Sequence, residues 1–197
     1  MPKVLRGWFG PDAGKSGTNF LVACEPTEDG VRLTPKTRPA ETKGPERWKR
    51  YSREQIPPLF GLEFSEAIWN AGFVSTPKHL FLLVTLEKAQ MLEGHKYADH
   101  FLSADAFEWQ SQNRTTQASK HGQLIREHVA KGIEVELFVR AEKKIRSEAA
   151  PFLYCGPVTF ESWKGEKPIT VRWKLGEPVP EGMRAELGVQ PAPPRAR

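Results

Sequence analysis

Residues 119–140 read SKHGQLIREHVAKGIEVELFVR, and within them the spacing of apolar side chains changes from helical to extended. Leu124, Ile125, His128 and Val129 recur on one helical stripe, and Gly132 closes the pattern. Past that glycine, Ile133, Val135, Leu137 and Val139 alternate with Glu134, Glu136, Phe138 and Arg140, the pattern of a half-buried strand. An amphipathic helix feeding such a strand packs against a sheet. Downstream the period of two returns: 152–160 reads as a strand, and in 169–175 Ile169, Val171, Trp173 and Leu175 share one face opposite Thr170, Arg172 and Lys174. Upstream, within 79–86, Leu80 to Val84 are apolar on both faces, which predicts a central strand. Ser52 with Gln55 starts a short helix that Pro57 and Pro58 end early, and Ser65 starts another that closes at Gly72. Short strands dominate and helices punctuate them, so the expected class is α+β: a small mixed sheet, barrel-like, flanked by short helices.

The ends of the chain differ in character. Residues 1–45 are expected to form a β-hairpin extension, with a strand over 20–24 and a turn over 27–30, followed by a basic linker that is proline-rich from 34. Residues 46–180 have the composition of a packed domain, and 181–197, ending in PAPPRAR, read as a disordered tail. The chain has 197 residues, 39% hydrophobic, with six Trp and eleven Phe, which excludes a wholly disordered polymer. No apolar run approaches the roughly 18 residues of a membrane helix, and the N-terminus lacks the apolar core of a secretory signal. Cys24 and Cys155 stand alone, so a reduced, cytoplasmic setting is expected. The formal net charge is +5. Lys36, Arg38, Lys43, Arg47, Lys49, Arg50 and Arg53 against Glu41 and Glu46 account for all of it. Such a run is either a solvated connector or a grip on phosphate.

Several motifs fail on their own terms. Gly10, Gly14, Lys15 and Ser16 imitate a phosphate loop, but three residues separate the glycines where four are needed, and Gly17 and Thr18 disfavour the helix that must follow. The glycines suit a tight hairpin. His95 and His100 are five apart, which fits no common zinc pattern, and no acidic cluster with a following Glu-x-Lys stands out: Glu41 to Lys43 lies in the linker and Glu142 to Lys144 just past a strand. Asp99, Asp105, Glu108, Glu134 and Glu136 supply no better set. No metal or cofactor is expected. Cys155 sits mid-strand as a small hydrophobe, and Cys24 stands beside Glu25, so neither reads as an activated nucleophile. The stretch 105–123, DAFEWQSQNRTTQASKHGQ, is different: Phe107 and Trp109 precede a run of amides, hydroxyls and Arg114. Amides pair with base edges, and an aromatic ring stacks on a base that has left its helix. A polar surface loop has the same look.

The blocks YSREQIPPLFG, IWNAGFV, LFLLVTLEK, YADHF, FEWQSQNRTT, LFVR and APFLYCGPVTFESWKGEKPITVRWKL follow one another in order over about residues 48–180. In this order they resemble the uncharacterised C-terminal domain of bacterial helicase-like proteins and restriction-type systems. By analogy with the PUA-like readers of modified bases (SRA, EVE, YTH and ASCH-type domains), the resemblance implies a small twisted, partly open barrel holding a flipped base in an aromatic pocket. Trp69, Trp109, Tyr51 and Phe107 would then be its walls, with Asn70, Gln110, Ser111, Gln112 and Asn113 at its polar edge. Arg47, Lys49, Arg50, Arg53, Arg114 and Arg140 would contact phosphate. A packing role competes at several positions: Trp69 as core, Asn70 as a helix cap, Tyr51 under the linker, Arg140 paired with Glu142. The function implied is a non-catalytic module that binds double-stranded DNA carrying a modified base, 5-methylcytosine or a related 5-modified cytosine, in a restriction or defence context. A helicase or nuclease would act on the bound DNA, and no membrane is involved. The alternatives are a metal-dependent, modification-directed restriction nuclease and an RNA-binding module. On this reading Trp109→Ala removes base preference and leaves the protein folded.

Overall fold

A computed structural model describes residues 21–27, 30–36, 44–86 and 99–189. The glycine-rich stretch 10–18, Arg38, Lys43, His95 and the tail 190–197 lie outside the described residues. Two units divide the chain, 1–43 and 44–197. In the first, β1 (Leu21–Thr27) pairs antiparallel with β2 (Gly30–Lys36), Thr27 facing Gly30 across the turn.

The second unit carries an eight-stranded mixed sheet. Its elements in chain order are β3 (Arg50–Tyr51), a 3₁₀ turn (Arg53–Gln55), α1 (Ile56–Leu59), α2 (Glu66–Trp69), β4 (Phe73–Ser75) and β5 (His79–Thr85). Then follow β6 (His100–Ser103), β7 (Ala106–Gln110), α3 (Lys120–Glu127) and β8 (Glu134–Arg140). The two-residue strands β9 (Lys144–Ile145) and β10 (Glu148–Ala149) pair with each other, and β11 (Phe152–Lys164), β12 (Thr170–Leu175) and α4 (Glu181–Arg184) complete the unit. The spatial order is β4-β5-β8-β11-β12-β7-β6, with β3 on β11, and the sheet stays open where a barrel would close. Only β5 and β8 run parallel among the described strands, His79 in register with Glu134 and Thr85 with Arg140. Among the described residues no helix is long and apolar enough to cross a membrane.

Strand alternation sorts the central side chains into two cores. Leu80, Leu82 and Val84 of β5, Val135, Leu137 and Val139 of β8, and Leu153 and Cys155 of β11 join Trp109, Trp173 and Ile125 of α3 on one face. Phe81, Leu83, Phe138, Phe152 and Tyr154 meet Tyr51, Ile56 and Trp69 on the other. The expected half-buried β8 is therefore buried on both faces, because the 51–71 segment covers the side that carries Glu136, Phe138 and Arg140. Helix α3 ends at Glu127, before the end of its apolar stripe, leaving Val129 exposed. Beyond it, His128 Nδ1–H donates to Ile133 O at 2.9 Å while Nε2 accepts from Phe160 N–H at 3.1 Å. That imidazole ties the helix end to β11.

Disorder from residue 181 does not hold over 181–189. Val179, Leu187 and Val189 are buried in the first core, and Val189 N–H bonds to Arg184 O at 2.9 Å. The buried apolar residues flank α4: Val179 precedes it, and Leu187 and Val189 follow it.

The register of β11 shifts between Tyr154 and Gly156, where Gly156 adopts φ +94° and the Arg47 guanidinium occupies the space a Cβ would take. Gly156→Ala is expected to cost about 2–4 kcal/mol, since a strained backbone alone costs about 1–3. A denaturant midpoint within error of the wild type would contradict this.

Candidate functional site

A cleft of about 260 Å³ opens where Gly72 and Phe73, the Leu83–Thr85 end of β5, Asp99 and the Trp109–Gln112 end of β7 approach one another. That is just under the roughly 300–1,000 Å³ of sites for drug-sized ligands, so it suits a single ring system. Its aromatic wall is Trp109 stacked on Phe73, centroids 5.8 Å apart and planes 27° apart, with His121 edge-on to Phe73 at 5.6 Å. Because the two rings cover each other, a planar ligand enters beside the pair instead of between them. Asp99 faces this wall with one oxygen committed: Oδ1 accepts Gln110 N–H at 2.7 Å. Burial pushes its carboxyl up to about 6, although the Gln110 hydrogen bond and nearby His100 oppose the shift. Ser111 Oγ accepts from Ile169 N–H at 3.1 Å, so this hydroxyl holds β7 to the start of β12.

Beside the cleft stand two arginines. Arg140 Nε donates to Oγ1 of the cleft residue Thr85 at 2.9 Å, and its Nη1 reaches Ala150 O at 3.2 Å. Arg53 donates to the carbonyls of Trp69 and Ala71, the latter preceding cleft residue Gly72, with Ala71 at 3.1 Å. Both guanidiniums lie over the Phe152 ring, at 5.1 Å for Arg53 and 4.4 Å for Arg140. Desolvation lowers the pKa of each, and Arg53 further lowers that of Arg140. No carboxylate among the described residues pairs with either. Two like charges held together, with the exposed Glu54 acting on Arg53 but no salt bridge to either among the described residues, can seat an anion such as phosphate.

A family model for a domain of unknown function, DUF3427, matches residues 46–187. The chain belongs to this family. No match is found among curated proteins. The matched span of the DUF3427 domain holds the whole cleft and both arginines.

Within the DUF3427 domain the residues expected at the site separate into three groups. Trp109, Gln110, Ser111 and Gln112 line the cleft, and Arg53 and Arg140 adjoin it. Trp69, Phe107 and Tyr51 do not: Trp69 is 2% exposed against Phe81, Phe107 is fully buried, and Tyr51 packs in the second core with its OH accepting Glu46 N–H at 2.8 Å. Those three are core because large rings are what fill a sheet interior. Asn70 is exposed at the end of α2, and Asn113 and Arg114 are exposed in the turn after β7, all outside the cleft lining. Three of the basic residues find acids within the chain: Arg47 pairs with Glu177, Lys49 with Glu46 at 3.4 Å and Arg50 with Glu186 at 2.7 Å. Phe73, Thr85 and Asp99 were missed. No local pattern set Asp99 apart from the other acids.

Two further expectations meet the structure here. Burial drives the Cys155 thiol well above the ordinary range, which keeps it inert. The absence of a metal cluster in the sequence is not matched in space, where His79, Glu134 and Glu136 come together.

Proposed function

We propose that the domain binds DNA and takes one base, a 5-modified cytosine first among candidates, into the cleft beside Trp109. The observation that carries the reading is continuity: Thr85 and the Ala71–Gly72 step connect an aromatic, amide-edged cleft to two arginines that form no salt bridge among the described residues. A nucleotide has this composition, a flat ring with polar edges joined to an anion. The Asp99 carboxylate supports cytosine, whose amino group it can accept, and Leu83 and Val84 offer apolar surface for a 5-substituent. Gln110 and Gln112 add amide donors and acceptors. Entry of a base beside Trp109 requires it to leave the duplex, and Arg53 and Arg140 would hold the flanking phosphate. The module binds the base without catalysis of its own, and a helicase or nuclease partner would act on the bound DNA.

Anisotropy titrations with oligonucleotides that differ at one base test the reading. The expected result is tighter binding, by about tenfold, to a duplex with one 5-methylcytosine than to its unmodified twin. Arg53→Gln is expected to weaken binding to both and to make the salt dependence shallower by about one phosphate contact. Equal affinity for the two duplexes would remove modification specificity. Magnesium-dependent cleavage of the methylated duplex would favour a nuclease, and preference for single-stranded RNA over every DNA would favour an RNA-binding role.

A further inference from the structure

At the other end of the parallel pair, about 20 Å from Thr85 and Arg140 at about 3.3 Å per residue, a second polar group sits on the face of the second core. His79 opens β5 in register with Glu134 of β8, and Glu136, two residues on, shares that face. Nδ1 of His79 and one oxygen from each glutamate lie within 4.8 Å of one another. The imidazole is fixed by Phe60 and Phe81, ring centroids 5.0 and 5.7 Å away. Glu136 is 3% exposed, and one of its oxygens, Oε2, accepts the Tyr154 hydroxyl at 2.6 Å, leaving Oε1 turned to His79.

The spacing of these donors is the decisive observation. His79 Nδ1 stands 3.4 Å from Glu136 Oε1 and 3.8 Å from Glu134 Oε2. It is buried and forms no hydrogen bond. Both carboxylate contacts are ion-pair contacts longer than the about 2.7–2.9 Å of a closed charge-assisted hydrogen bond. Two ligands on one tetrahedral zinc, with bonds of about 2.0–2.2 Å, stand about 3.4 Å apart. The donors are thus held at ligand spacing, by two neighbouring strands and by a tyrosine that orients the buried carboxylate, as partners outside a metal's own ligands commonly do.

We infer that His79, Glu134 and Glu136 bind one divalent transition-metal ion, zinc in first place, with a water in the fourth position. One imidazole and two carboxylates suit zinc over magnesium, which prefers oxygen alone in octahedral geometry. The ion would clamp the start of β5 to the start of β8. Its site is separate from the cleft and does not depend on the DNA reading.

Calorimetric titration of ZnCl₂ into the metal-stripped full chain tests this, with a thermal melt beside it. The expected result is one saturable site per chain, a higher melting temperature with zinc, and affinity falling from zinc through manganese to magnesium. His79→Gln is expected to abolish the site. Since that variant risks the fold, Glu134→Gln is the second probe: Glu134 is 67% exposed, so the metal-free melt should stay unchanged while zinc affinity drops at least about tenfold. A wild-type chain with no stoichiometric zinc binding overturns the inference, as does a Glu134→Gln chain that binds zinc as tightly as the wild type.

Discussion

Trp109→Ala lowers the stability of the domain by about 3–5 kcal/mol, the usual cost of removing a large buried ring. For a unit of this size each kcal/mol moves the melting temperature by about 2–4 °C, so a fall on the order of ten degrees is expected in a thermal melt. The ring is 6% exposed, belongs to the first core and stacks on Phe73, so its loss opens a void between β4 and β7. This reverses the expectation that Trp109 can be removed without unfolding the protein. It also changes how the site must be probed: weak DNA binding by the alanine variant would report on folding as much as on recognition. Trp109→Phe keeps a stacking ring and most of the buried area, and it is the variant whose affinity for modified DNA is informative. An alanine variant melting within a degree or two of the wild type would show that the ring contributes little to the core.

The parts of this fold that repeat at short range were legible in the sequence. The doubly apolar run of β5, the alternation in β12 and the stripe of α3 each declare an element without reference to anything distant. The second face of β8 was not legible. Glu136 and Arg140 alternate with apolar residues as they would on a solvent face, and only the 51–71 segment folding over them makes that face interior. The same long-range step decided the candidate site. Arg53 and Arg140 were separate entries in a basic inventory until Phe152 and the Ala71 carbonyl brought them together, whereas Arg47, Lys49 and Arg50 lost their freedom to acids far along the chain or three residues away. Residue type cannot separate a pocket wall from a core ring, which is why Trp69 and Phe107 stood among the candidate walls beside Trp109. Asp99 looked like any surface acid. Its meaning comes from burial.

Asp99→Asn is expected to stabilise the domain at pH 8 and to damage its binding. In the folded chain burial holds the Asp99 carboxyl at about 6, against an ordinary 3.8. Between those values the folded chain keeps a proton that the unfolded chain releases, so the stability this group contributes is full below about pH 4, falls as the pH rises through about 6 and is flat above. The difference of about two pH units corresponds to an upper figure of about 3 kcal/mol. Asparagine retains an Oδ1 acceptor for Gln110 N–H and carries no charge, so a gain of about 1–3 kcal/mol at pH 8 that vanishes near pH 4 is expected in denaturant titrations. Binding should respond in the opposite direction. A cytosine amino group needs an acceptor; if the amide presents its NH₂ to the cleft, donor meets donor, and affinity for the modified duplex is expected to fall about 10–100-fold. Wild-type affinity should rise between pH 5 and 7 as the carboxylate forms, and that rise should be missing from the variant. A partly buried charge that costs stability is what a recognition site retains and a mere core does not. An Asp99→Asn chain that is more stable and binds modified DNA as well as the wild type would take Asp99 out of the site and leave its burial without a purpose in binding.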